Sequence, residues 1–350
     1  LNINLSFIVP KNKNSSGEYK LSGYWSEGRF MGKGTTNNLD WIEWNASLVN
    51  SNTDINARKR ISQNNNEITG DIIFPFVEYG SKSKMIKENI IIKNANVWTL
   101  EDEGNIENCD VIIEDGKIIA FGQNLSVDES NYRIINGEGM HLTPGIVDEH
   151  SHIALTGVNE GSQSVTSEVR MKDVVNSEDV NIYRQLAGGV TTAQLLHGSA
   201  NPIGGQSAIV KLKWGELPEK MLVDDAPGFI KFALGENVKQ SNWGDYERIR
   251  FPQTRMGVEQ VFYDHFLRAK AYEKKWNTYN SLSLSEKRKT KAPREDLEMN
   301  ALLEILKKER FISCHSYVQS EINMLMHVAD SMGFTLNTFT HILEGYKVAD

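Results

Sequence analysis

From about residue 86 onward, apolar residues fall into short β-branched runs; beyond residue 143 these alternate with longer stretches of helical period. Ile90–Leu100, Asp110–Glu114, Lys117–Phe121 and Tyr132–Ile135 read as strands. Asp115-Gly116 between two of them is a tight-hairpin signal, because both central positions of such a turn favour positive φ. Further strands are expected over 144–150, 190–196, 207–212, 228–234, 310–315 and 335–341. Helices are expected over 177–187, 256–278, 294–309 and 319–332, the first closed by Gly188-Gly189 and the last by Gly333. The stretch 279–293 interrupts a long helical excursion between the fourth and fifth of these strands. Strands alternating with helices predict an α/β architecture, either a parallel barrel or a doubly wound sheet.

The first 84 residues follow another rule. They are rich in Asn, Ser and Gly, and Tyr19–Trp25 and Arg29–Lys33, joined by residues 26–28, read as small antiparallel hairpins. Asn50–Asn66 is polar and poor in apolar residues, hence a loop or linker. The expected organisation is a β-rich accessory segment at 1–84, a second β-rich segment at 85–142 and an α/β domain at 143–350.

Composition narrows the function. With 350 residues the chain can build one large domain and a smaller one. A net charge of −8 with interspersed signs offers no basic stripe for nucleic acid. No apolar run approaches the ~20 residues that cross a bilayer. The start, Leu1-Asn-Ile-Asn-Leu5, is neither an initiator Met nor a secretory signal. Two cysteines, Cys109 and Cys314, cannot form a disulfide framework and assign no compartment.

The chemistry concentrates where strands end. In Thr143-Pro-Gly-Ile-Val-Asp-Glu-His-Ser-His152, side chains alternate along an extended strand, so His150 and His152 project from one face and can chelate one metal ion. Strand five ends in His315 and strand six in His341, although the chain has only 8 histidines. Strand four carries Lys231, flanked by apolar residues, and Glu236 on the following loop. A lysine in such surroundings is costly unless it has a partner.

Thr143–His152 resembles the first metal-binding strand of the amidohydrolase superfamily, and Asp115-Gly116-Lys117-Ile118 resembles a hairpin of the small β-sandwich that precedes the barrel in that family. The order His-x-His, Lys, His, His and the run Gly189-Val-Thr-Thr192 fit the same family; the likeness covers residues 86–350. It implies a TIM (β/α)8-type barrel of which about six strands are present, preceded by part of a β-sandwich. Six strands would leave two edges open, so the chain is expected to be a C-terminally truncated fragment. The likeness also implies one or two divalent ions such as Zn2+, held by His150, His152, His315 and His341, with Lys231 carboxylated by CO2 as an anionic bridge. Glu236 competes with Lys231 for the bridge, since a carboxylate needs no modification. The strand-one pair is expected at the more buried ion and His315 with His341 at the more exposed one. The implied reaction is attack of a metal-activated hydroxide on an amide or cyclic-amide C–N bond of a small molecule or short peptide. In the family an Asp ending strand eight moves the proton; no residue here takes that role, so the catalytic residue is unassigned and the polypeptide is expected to be catalytically incomplete. The rivals are a mononuclear deaminase or aminohydrolase and a degenerate barrel used for binding. A homo-oligomer is compatible with all of these.

Other residues carry less. His197-Gly-Ser-Ala-Asn-Pro-Ile-Gly-Gly-Gln206 is a glycine-rich loop at the active face; either its backbone approaches a substrate carboxylate, with His197 or Asn201 donating hydrogen bonds, or it is a structural turn with a surface histidine. Tyr317 and Gln319 are placed to line the pocket, though Gln319 equally suits a helix N-terminus. Asp148 is either a support for the metal ligands or a salt-bridge partner. His141, His265 and His327 are read as structural, and Cys314 as core packing.

Overall fold

The computed structural model describes residues 2–12, 15–26, 28–36, 41–47, 80, 83, 85–239 and 250–350, and the chain divides into two compact units, Leu1–Asp71 and Ile72–Asp350. The polar stretch Asn50–Asn66 lies outside the described residues. In the first unit, β1 (Asn2–Asn12), β2 (Ser15–Ser26), β3 (Arg29–Thr35) and β4 (Trp41–Ser47) form an antiparallel meander in chain order. The Trp44 indole lies over Gly23 and donates to the carbonyls of Ser22 and Lys33 at 3.1 and 3.3 Å.

The second unit is mixed α/β. Its first sheet contains β5 (Ile90–Trp98), β6 (Asn105–Glu114), β7 (Lys117–Gly122) and β8 (Arg133–Asn136), in the order β7-β6-β5-β8, with the short β9 (His141–Leu142) also pairing β5. Asp115 and Gly116 turn between β6 and β7 with φ of 47° and 77°, the left-handed pair that a two-residue hairpin requires. Alternate residues Ala95, Val97, Cys109 and Val111 close a small core, and the Asp110 carboxylate is buried because the backbone N–H groups of Asn94 and Leu125 each donate to it at 2.9 Å.

The strands that carry the candidate chemistry follow. β10 (Ile146–Ser151) pairs in parallel with β11 (Val190–Leu195) across the helix α1 (Val180–Ala187). Gly145 permits this approach, since a Cβ there would fall 2.2 Å from Thr191 Oγ1. β12 (Ile203–Gln206) and β13 (Ala208–Lys211) flank Ser207; β13 pairs antiparallel with β11, and β12 pairs antiparallel with β14 (Gly228–Ala233). β14, β15 (Arg310–Ser316) and β16 (Thr338–His341) then run parallel to one another. The strand expected at 207–212 as one of a parallel series is therefore antiparallel to its neighbours. Residues 196–207 join it to β11 and hold irregular backbone and β12 but no helix, so the crossover that parallel pairing needs is missing.

Helices cover one face of these strands. α2 (Arg255–Asn280), α3 (Leu297–Leu306) and α4 (Gln319–Met332) pack on β14 and β15 around Ile230, Phe232, Phe262, Phe266, Ile312 and Phe334. α1 and α3 start three residues later than the apolar period suggests, because the Asp179 and Asp296 side chains accept from Asn181 N–H and Met299 N–H and set the first turn. α4 matches its expected bounds and ends at Gly333, whose φ of 79° is the left-handed stop. Phe266 stacks on Phe334 with ring centroids 4.3 Å apart and also meets Phe232. Phe266→Ala is expected to lower stability by about 3–5 kcal/mol, read from the denaturant midpoint. Among the described residues no helix is long and apolar enough to cross a membrane.

Candidate metal centre

Strand alternation sorts the side chains of β14. Ile230 and Phe232 enter the helix-covered core, so Lys231 projects from the opposite face. It is 0% exposed, and its Nζ lies 3.3 Å from His150 Nε2. No carboxylate forms an ion pair with it among the described residues. Burial pulls its pKa down to about 8.

The imidazoles gather around this amine. His150 and His152 lie with ring centroids 5.3 Å apart, His150 and His341 5.1 Å, and His315 and His341 4.7 Å. The His152 Nδ1–H donates to the Leu196 carbonyl at 2.9 Å, which leaves Nε2 with its lone pair free to ligate. His315 is 3% exposed and its Nε2 has no hydrogen-bond partner. Burial, helped by Lys231, His152 and His341, holds the His150 pKa down to about 4. Burial also holds His315 down to about 4, with His341, Lys231 and His150 contributing. Burial likewise lowers His152 and His341. The neutral ring that results is the form that binds metal. His341 ends β16 at φ 65°, a left-handed conformation that costs a non-glycine residue energy and turns the chain at the site.

As placed, the rings pack edge to face, and among the described residues no three His, Cys, Asp or Glu donors close on a single point. Each imidazole must turn a nitrogen toward a shared centre to hold an ion. The donor chemistry nevertheless fits one: neutral imidazoles and, among the described residues, an unpartnered buried nitrogen on His315 and a buried amine without a counter-ion suit a borderline divalent cation.

The remaining candidates separate. Tyr317 joins the group, its ring 4.5 Å from His315 and 5.8 Å from His341. Glu236 does not: it is 49% exposed and paired with Arg255 at 2.8 Å and Lys239 at 2.7 Å. Arg255 also approaches the buried Glu321 at 3.3 Å, a network that no sequence signal marks. Asp148 accepts the backbone N–H of His150 at 3.1 Å, so it supports the strand end and not the ring. His197 and Asn201 are fully buried, with donors turned to backbone carbonyls of this chain. The Gln319 N–H starts α4 and donates to Glu344 at 2.9 Å. His141 accepts from the Trp98 indole, His265 donates to Val261 O, and Cys314 sits in the core with its thiol pKa raised by burial.

No family model matches the chain. An amidohydrolase, tasK, from Hapsidospora irregularis is 27% identical over 295 residues, 74% of this chain and 30% of that protein. A 5'-deoxyadenosine deaminase from Methanosarcina barkeri is 44% identical over 69 residues, 19% of this chain and 16% of the deaminase. Among solved structures, an amidohydrolase from Thermotoga maritima superposes with a TM-score of 0.64 and 33% identity, covering 74% of this chain and 66% of that one. The chain thus spans about a third of the tasK relative and a smaller share of the deaminase. These likenesses and the strand-end histidines agree: the chain belongs to the amidohydrolase superfamily.

Proposed function

We propose that this chain carries the metal-binding half of a hydrolase that cleaves a C–N bond, amide or cyclic amide, in a small molecule or short peptide. Residues 143–350 supply part of a (β/α)8-type barrel, with β10, β11, β14, β15 and β16 as five of its strands, residues 85–142 part of a preceding β-sandwich, and residues 1–84 an accessory segment. His150, His152, His315 and His341 would hold one or two divalent ions such as Zn2+, with a carboxylated Lys231 as a further ligand. The observation that carries this reading is the meeting of four imidazoles from three strands with a fully buried lysine that has no counter-ion among the described residues.

A divalent ion held by these residues would supply Lewis-acid activation of water and of the scissile carbonyl. The chain's own residues set the conditions. The Leu196 carbonyl fixes the His152 tautomer, and burial keeps the imidazoles uncharged, so protons do not compete for the ligating nitrogens. With its pKa near 8, Lys231 spends a useful fraction of time as the neutral amine, the form that reacts with CO2 to give an anionic carbamate. Tyr317 lies against His315 and His341, where its phenol can meet a substrate.

The test is metal analysis of the complete protein reconstituted with zinc and bicarbonate, followed by turnover of a panel of cyclic and linear amides. About two equivalents of zinc, with turnover abolished by a chelator and restored by zinc, is the expected result. The deaminase likeness supports a second reading, for which one equivalent and release of ammonia from an aminopurine are the signature. Zinc retained in a His150→Ala, His315→Ala double variant would sink both.

A further inference from the structure

The loop His197–Gln206 was open to two readings, a substrate contact or a structural turn, and its side chains point to a third. We propose that His197 and Asn201 are positioning residues that clamp the segment Asn159–Thr166 as a fixed wall beside the imidazole cluster. The consequence for substrate selection rests on the hydrolase reading; the clamp does not.

The clamp is built from the middle of the loop outward. The Glu160 backbone N–H donates to His197 Nε2 at 2.8 Å, so the ring proton sits on Nδ1, which donates to the Gly198 carbonyl at 2.8 Å. Both ring nitrogens are then satisfied by backbone, and neither is left for a ligand. The Asn201 amide Nδ2 donates toward Glu160 O at 2.8 Å, Gln163 O at 2.7 Å and Thr166 Oγ1 at 3.2 Å. Arg250 reaches the same segment from elsewhere, donating from Nε to Gly161 O at 3.0 Å and also to Ala200 O. Three side chains therefore converge on a few consecutive residues that have no regular structure of their own.

The two glycines near the end of the loop have a packing reason in this arrangement. A Cβ at Gly204 would fall 2.8 Å from His197 Nδ1, and one at Gly205 would fall 3.0 Å from His197 Cδ2 and 2.7 Å from Val169 Cγ2. The glycines thus seat the imidazole. The clamp also borders the candidate centre. Leu196, whose carbonyl orients His152, immediately precedes His197, and a Cβ at Gly204, beside the His197 ring, would also fall 3.1 Å from the Lys231 carbonyl. A wall held this firmly selects by fixed shape and does not have to close on the substrate.

Hydrogen–deuterium exchange on the zinc-loaded complete protein tests this. Asn201→Asp removes every amide donor without changing shape, and His197→Ala removes the acceptor. Each is expected to speed exchange of peptides covering Asn159–Thr166 by about tenfold or more, while peptides covering Val190–Leu195 and the zinc content stay unchanged. His197→Gln, whose side-chain oxygen can accept from Glu160 N–H, is expected to restore protection to within about threefold. Faster exchange spread evenly over the chain, unchanged exchange at Asn159–Thr166, or failure of His197→Gln to rescue would each overturn the clamp. The exchange readout needs no turnover, so a protein that fails to hydrolyse amides still decides the question.

Discussion

Lys231→Met is expected to stabilise the metal-free protein by about 3 kcal/mol while cutting amide hydrolysis by roughly a thousandfold, equivalent to about 4 kcal/mol of barrier. The first figure follows from burial. Lys231 is 0% exposed, and its pKa falls from 10.5 to about 8, so holding the ammonium in the fold at neutral pH carries a penalty that solvent does not screen. Methionine has a similar length and no charge, and it fills the same space. The sign of the pH dependence is fixed by the direction of the shift. Between about pH 8 and 10.5 the unfolded state binds more protons at Lys231 than the folded state does, so the stability of the metal-free parent rises with pH through that window. Below about 8 the penalty is present in full. Denaturant titrations of parent and variant should therefore differ most at neutral pH and converge toward pH 10.5. If Lys231→Met is instead less stable than the parent at pH 7, the lysine has a stabilising partner and the case for its modification falls. The same comparison separates stability from function: a residue that weakens the apo fold is retained for what it does once loaded.

Much of the centre was legible because its logic is periodic. Alternation along β10 puts His150 and His152 on one side, and alternation along β14 sets Lys231 against Ile230 and Phe232; neither needs tertiary information. α4 was legible for a similar reason, since its apolar period stops at a glycine that takes the left-handed conformation. The direction of the strand at 207–212 was not legible. An antiparallel return has the same β-branched alternation as a parallel strand, and only the want of a helical stretch within residues 196–207 hints at it. Glu236 misled because a carboxylate one loop beyond Lys231 has the right chemistry. Its capture by Arg255 depends on where α2 begins, which periodicity cannot place in space. His197 and Asn201 were visible as polar residues in a glycine-rich loop, but their partners are backbone groups of a distant irregular segment. A backbone N–H carries no sequence label, so that pairing emerges only when the chain is folded.

The second large effect separates a shared cavity from four histidines that happen to lie close together. His150→Ala and His315→Ala are each expected to lower hydrolysis by roughly a thousandfold or more, and the double variant to be scarcely worse than either. The reason is that groups which hold the same reacting assembly fail together: once one ligand is gone, the geometry that the others served is lost too. His150 comes from β10 and His315 from β15, far apart along the chain and on strands that do not pair with one another. His341 lies between them, 5.1 Å from one ring and 4.7 Å from the other, so coupling has a short physical path. Independent structural roles predict the opposite outcome, in which the two losses multiply because sites without shared partners act additively. The measurement is a double-mutant cycle in kcat/KM on one amide substrate, with zinc content determined on each variant. A multiplicative cycle with zinc still bound in both single variants would mean that the rings do not serve one centre, and the hydrolase assignment would have to be withdrawn.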